Sequence, residues 1–241
     1  MPVVAEHNFF FIHIAKTGGT SICDFFNLPR DGHQSLQAYL LKIGKEGFLK
    51  WDAMTVVRDP ATRFLSAWNM SAHPDDETCF QTLREKYSPH FDKPINDFVL
   101  SGILSELATD NDAPWFWHQG RQLLFEGEQK KKYIYIPRYV LIFEQLVQDF
   151  SLFAKAIGFD FNPSDFPHSM KSPIADNQEQ LSPEAIEYLQ AHYYDDYLLI
   201  NGALSTKFID PDCRTSNLAV RGTDRDCAGL FELPSRWPVE R

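Results

Sequence analysis

The chain has 241 residues, and 33 Asp and Glu against 23 Lys and Arg leave a formal net charge of -10. That balance argues against a broad polyanion-binding surface, whether for nucleic acid or for a heparan-like glycan, and leaves room for a local basic pocket. At 44% hydrophobic, with 20 Phe, 9 Tyr and 5 Trp, the chain can bury an aromatic-rich core suited to one α/β domain, with or without a tail.

Phe9 to Ile14 is a short apolar run rich in β-favouring residues and predicts a buried strand. Ala15 to Ser21 then supplies a cation, two glycines and three hydroxyls, and Ile22, Cys23, Phe25 and Phe26 predict a helix packing back onto the strand. Pro29 and Gly32 end that helix. Leu36, Tyr39, Leu40 and Ile43 have helical spacing and predict a second helix over 34–43, stopped near Gly44. Ala53 to Arg58 is the second expected buried strand. Asp59 and Pro60 then form an N-cap and first-turn pair, and Phe64, Leu65 and Trp68 give the following helix an apolar face.

Residues 71–93 are polar and carry Pro74 and Pro89, which predicts an excursion or lid rather than core. Helices are expected within 94–107 and 115–125. The lysine run at 130–132 is read as a solvated turn before the apolar stretch 133–136. Tyr139 to Phe143 is the third expected core strand, and a helix over 145–157 stops at Gly158. Ser182 and Pro183 open a helix reaching about residue 195 to 200. Periodicity then fades, so residues 1–206 are assigned to one domain and 207–241 to a loosely packed tail. Strands alternating with helices predict a mainly parallel central sheet with helices on both faces, in three layers. Ligands of such sheets sit at the carboxyl ends of the strands, where Lys16 and Arg58 would converge.

The four cysteines, Cys23, Cys79, Cys213 and Cys227, lack zinc-site spacing and fit free thiols, with pairing of Cys213 and Cys227 open if the protein is secreted. No run of about 18 apolar residues predicts a membrane span. The start of the chain lacks the features of a signal peptide.

A strand, a glycine-bearing turn and a helix start together make an anion site. The first N–H groups of the helix are unpaired, the dipole is positive there, and glycine admits a phosphate to the backbone. The order is not that of a Walker A loop, because the lysine precedes Gly18 and Gly19 rather than following them. The run HIAKTGGTS instead resembles the 5′-phosphosulfate loop of sulfotransferases that use 3′-phosphoadenosine-5′-phosphosulfate (PAPS). It is closest to the carbohydrate group that includes the heparan sulfate 2-O- and 6-O-sulfotransferases. Residues 55–68, TVVRDPATRFLSAW, resemble that family's 3′-phosphate element, an arginine ending a strand and a serine eight residues on. The pair also meets a chemical need, since the donor is anionic at both its 5′ and 3′ positions.

The resemblance implies a P-loop-like fold and transfer of a sulfuryl group to an acceptor hydroxyl, on a carbohydrate or glycolipid, without a metal. It implies that Lys16, Thr17, Gly18, Gly19, Thr20 and Ser21 hold the 5′ end of the donor, and that Arg58 and Ser66 hold the 3′-phosphate. Lys171, in HSMKS, would touch a phosphate. Lys16 and His33 are the catalytic candidates: Lys16 stabilises the leaving oxygen, and His33 removes the acceptor proton, with His118 and His168 as runners-up. His13 is read as packing. Arg63, four residues from Asp59, is read as pairing with it. Gln119 and Glu144 fall at recurrent positions of the looser, later part of the pattern, and Trp115 and Trp117 are candidates for stacking on an acceptor or for core. Animal relatives are membrane-anchored Golgi enzymes, so the expectation here is a cytoplasmic bacterial protein or an excised soluble domain. The rivals are a P-loop kinase using ATP and a non-catalytic nucleotide-binding protein on the same fold.

Overall fold

The computed structural model describes residues 3–29, 33–34, 36–39, 41, 44, 51–73, 78–126, 132–167, 181–206 and 229–232. Seven strands are described: β1 (Val3–Val4), β2 (Phe9–Ile12), β3 (Asp52–Val57), β4 (Leu124–Glu126), β5 (Lys132–Ile136), β6 (Tyr139–Ile142) and β7 (Gly229–Glu232). The helices that shape the site are α1 (Gly19–Phe25), α2 (Pro60–Ala72), α3 (Thr78–Lys86), α4 (Gln119–Gln122), α5 (Leu146–Ala156), α6 (Pro183–His192) and α7 (Tyr194–Thr206).

The protein is α/β, built on a four-stranded, mostly parallel sheet of order β1-β2-β3-β6. Strands β2, β3 and β6 run parallel, with Phe11 opposite Met54 and Thr55 opposite Val140, so all three carboxyl ends reach one edge. The two-residue β1 pairs antiparallel with β2 and was not anticipated from sequence. A second, antiparallel sheet of order β4-β5-β7 takes up the apolar stretch after the lysine run. Its strand β7 comes from within the expected tail.

Every residue of β2 and β6 is buried, as are five of the six in β3. This is the pattern of a sheet covered on both faces. On one face Phe9, Phe11, Met54, Val56 and Leu141 share a core with Ile22 and Cys23 of α1 and Phe150 and Phe153 of α5. Phe25 of α1 meets Phe150 at 5.2 Å, Phe159 at 5.7 Å and Phe161 at 5.5 Å, in edge-to-face pairs. Each fully buried Phe side chain contributes about 1.5–3 kcal/mol. Such packing holds α1, which at two turns is too short to persist by its own hydrogen bonds.

Helix boundaries follow their caps. Asp59 accepts from the Thr62 N–H at 2.9 Å, with Pro60 in the first turn of α2. Ser182 accepts from the Ala185 N–H at 3.2 Å to open α6. Gly158, at φ +72°, ends α5, with the Phe159 N–H returning to the Ala154 carbonyl at 2.8 Å. Residues 36–39 are helical, with Leu36 and Tyr39 buried.

The expected lid at 71–93 is corrected by the structure. Phe80, Leu83, Tyr87 and Phe91 are buried in the second core cluster with Phe64, Phe98 and Phe116. Phe80 and Leu83 share one face of α3, and Tyr87 and Phe91 carry the three-and-four spacing into the short helix Ser88–Phe91, a pattern the surrounding charges disguise. The helix expected over 94–107 is two short ones, Ile95–Leu100 and Leu104–Leu107, separated by Gly102 at φ +80°. Within 115–125 only the single turn of α4 is helical.

Candidate functional site

The carboxyl ends of β2, β3 and β6 feed three loops into one place. After β2 the chain turns through residues 15–18 before α1 begins. Lys16 and Gly18 both have positive φ, +64° and +81°. For lysine this conformation is uncommon, and the surrounding structure must hold it. At Gly18 a side chain would also stand 2.8 Å from the Phe143 ring, and at Gly19 it would collide with the His13 imidazole. Both glycines are therefore required by contact, and Gly18 by backbone as well.

Two cations reach this loop. The Lys16 ammonium contacts the thioether sulfur of Met70 on α2. The Arg58 guanidinium, leaving the end of β3, donates from Nη1 to the Lys16 carbonyl at 3.2 Å and from Nε to Thr62 Oγ1 at 3.0 Å. Its Cζ lies over the Phe143 ring, 4.1 Å from the ring centre, just after β6. Burial pulls the guanidinium below its ordinary pKa, and Glu144 and Asp59 pull it back. Glu144 accepts from the Asp59 N–H at 3.0 Å and from Thr62 Oγ1 at 3.2 Å, closing the rim.

Thr17 is fully buried, and its hydroxyl donates to the Ile14 carbonyl at 2.9 Å. Thr20, Ser21 and Ser66 are half-buried, Ser66 two turns into α2. Lys171 and His168 lie outside the described residues, as do Cys213 and Cys227.

His33 packs edge-on against His13, ring centres 4.5 Å apart, with its Nδ1 3.4 Å from the His13 carbonyl. A carbonyl can only accept, so the proton belongs on Nδ1 and the lone pair on Nε2. Burial pushes the His33 pKa down to about 4; the His13 carbonyl opposes this, and the charges of Arg63 and Lys16 add to it. The ring is therefore neutral at pH 7. His118 instead packs on His192, at 5.1 Å, and on Tyr193, at 5.2 Å. His13 is buried and stacks on Phe11 at 5.4 Å, as its packing role requires.

Three further residues fix the loops. Arg63 does not serve as a surface partner of Asp59. It is fully buried and donates from Nε to the Ala15 carbonyl at 2.9 Å and from Nη2 to the Trp117 carbonyl at 2.7 Å. The buried Asp196 raises the Arg63 pKa against the burial that lowers it. Gln119 accepts from the Arg58 N–H at 2.9 Å and donates back to the Arg58 carbonyl at 2.8 Å. Gln122 accepts from the Ala15 N–H at 3.0 Å and donates to the His13 carbonyl at 3.2 Å. Gln122 went unnoticed in the sequence; its one signal is the i, i+3 repeat of glutamine in WHQGRQ. Trp115 packs 4.3 Å from the Phe80 ring, and the Arg121 guanidinium covers Trp117 at 3.9 Å. Both indoles thus belong to the protein's own packing.

Among the described residues, no group of three His, Cys, Asp or Glu side chains is placed to hold a metal ion, and no helix is long and apolar enough to cross a membrane. The arrangement offers two cations, a curled backbone and a neutral imidazole along one sheet edge. Comparisons with known protein families, curated proteins and solved structures find no match.

Proposed function

We propose that the chain is a sulfotransferase on a P-loop-like fold, moving a sulfuryl group from PAPS to a hydroxyl of a carbohydrate or glycolipid acceptor. One observation carries this: Arg58 Nη1 reaches the Lys16 carbonyl at 3.2 Å, so two cation-bearing motifs far apart in sequence meet at one sheet edge. A nucleotide phosphorylated at both ends needs two such charges at a fixed spacing.

The residues fit that ligand. The Arg58 guanidinium donates to a carbonyl and a hydroxyl, and the Lys16 ammonium contacts the Met70 thioether. A phosphate makes stronger, charge-assisted hydrogen bonds to a guanidinium or ammonium than these neutral groups do. The donor supplies the sulfuryl group and a phosphate that departs. Lys16 and the N–H groups of residues 17–20 balance charge on the departing oxygen; Thr17 contributes its backbone, since its hydroxyl is engaged with Ile14, and the Ser21 N–H is engaged with the Gly18 carbonyl. Arg58 and Ser66 take the 3′-phosphate. His33 Nε2 accepts the proton as the acceptor oxygen bonds to sulfur and the bond from sulfur to phosphate oxygen breaks. Little covalent work is asked of the protein beyond positioning and charge stabilisation.

Calorimetry with adenosine 3′,5′-bisphosphate and adenosine 5′-monophosphate tests the assignment, with turnover of labelled PAPS against a panel of sugar acceptors. The bisphosphate should bind more tightly, and Arg58→Ala should remove that preference. Equal losses for both ligands would make Arg58 structural, and preference for ATP would favour a kinase.

A further inference from the structure

We propose that the single turn α4 sets which anions this site selects, with Gln119 positioning the arginine loop and Gln122 the glycine loop. The inference rests on the nucleotide function proposed above and adds a specificity determinant to it.

The two glutamines are three residues apart and share one face of the turn. Each spends both ends of its amide on one loop. Gln119 is fully buried and holds the N–H and carbonyl of Arg58. Gln122, also fully buried, holds the Ala15 N–H and the His13 carbonyl. Every one of these contacts is to backbone, so the distance between the two loops is fixed without engaging the side chains of Lys16 and Arg58. Glutamate cannot donate, and asparagine is one methylene short, so the amide and its length are both specified.

A four-residue helix cannot fix anything unless it is itself fixed. The buried Asp196 accepts from the Gln119 N–H at 2.9 Å and the Gly120 N–H at 3.3 Å, capping the turn. Arg63 ties the carbonyl of Trp117, just before the turn, to that of Ala15 in the glycine loop. The turn, its cap and its brace form one rigid spacer between the two cations.

The test uses the full chain as wild type, Gln119→Asn and Gln122→Asn. Each is titrated with adenosine 3′,5′-bisphosphate and with adenosine 5′-monophosphate, and amide exchange at Arg58 and Ala15 is followed by NMR. Gln119→Asn should speed exchange at Arg58 and not at Ala15. It should weaken the bisphosphate about tenfold while changing the monophosphate less than about twofold. Gln122→Asn should speed exchange at Ala15 and weaken both ligands. If Gln119→Asn does not fold, Gln119→Glu, which keeps the acceptor and loses the donor, is read by the same ratio. An unchanged bisphosphate-to-monophosphate ratio, or exchange that rises equally at both amides in both variants, overturns the proposal. A wild type that binds neither nucleotide overturns the proposed function and the selectivity with it, while the exchange pattern by itself still upholds or refutes the two separate clamps.

Discussion

Lowering the pH should unfold this protein through two particular imidazoles. His33 and His192 are both held neutral, each with its pKa pushed down to about 4 from 6.5, chiefly by burial. Lys16 and Arg63 add to the effect at His33, and His118 adds to it at His192. The unfolded chain binds these protons more readily than the folded one. The stability that the neutral rings contribute is therefore complete above pH 6.5, is lost as pH falls below that value, and is gone once pH passes below about 4. At pH 5 each ring would cost about 2 kcal/mol relative to pH 7, with about 0.9 proton taken up per ring on unfolding. Urea denaturation at pH 7 and pH 5 measures the loss in wild type, His33→Gln and His192→Gln. Each substitution should shrink the pH-dependent loss by about 2 kcal/mol, and the double variant by about 4 kcal/mol. Variants that keep the full wild-type loss would show that neither ring is buried in its neutral form, and the assignment of His33 as a neutral base would fall with it.

Lys16→Ala should weaken adenosine 3′,5′-bisphosphate by about tenfold or more and abolish sulfuryl transfer, since a charge-assisted contact is removed; full turnover in the variant would exclude Lys16 from the reaction. His33→Gln should leave donor affinity nearly intact and lower kcat and kcat/KM together by about 10²–10⁴-fold, which steady-state kinetics with a competent acceptor would show. Gly19→Ala should cost about 1–3 kcal/mol in chemical denaturation as the new methyl displaces the His13 ring, and wild-type stability would mean that the ring can turn aside.

The core of this fold was legible because its signals are local. Runs such as Phe9 to Ile14 and Tyr139 to Phe143 declare buried strands, and Asp59-Pro60 and Ser182-Pro183 declare helix starts. The placement of Lys16 and Arg58 on one edge followed from parallel strands alone. What escaped was set by distance along the chain. Arg63 looks like a partner for Asp59 four residues away, yet its true acceptors are carbonyls 48 and 54 residues off. The glutamine amides reach backbone 61 and 107 residues away, and no periodicity encodes that. The segment around Phe80, Leu83 and Tyr87 was misjudged for a different reason: prolines and charges dominate its composition, whereas its buried face depends on only a few positions.

The aromatic platform beneath α1 bears on the order in which the chain can become competent. Phe25 rests on rings at positions 150, 159 and 161, all supplied by the segment that follows β6. A nascent chain that has emerged only as far as Arg58 already carries the whole glycine loop and both of its cations, yet lacks the platform for its two-turn helix. The proposed anion site therefore matures late, after more than a hundred further residues have been synthesised and have docked through contacts of long sequence separation. Chains released from the ribosome before Phe150 would contain every residue of the two motifs and should bind no nucleotide.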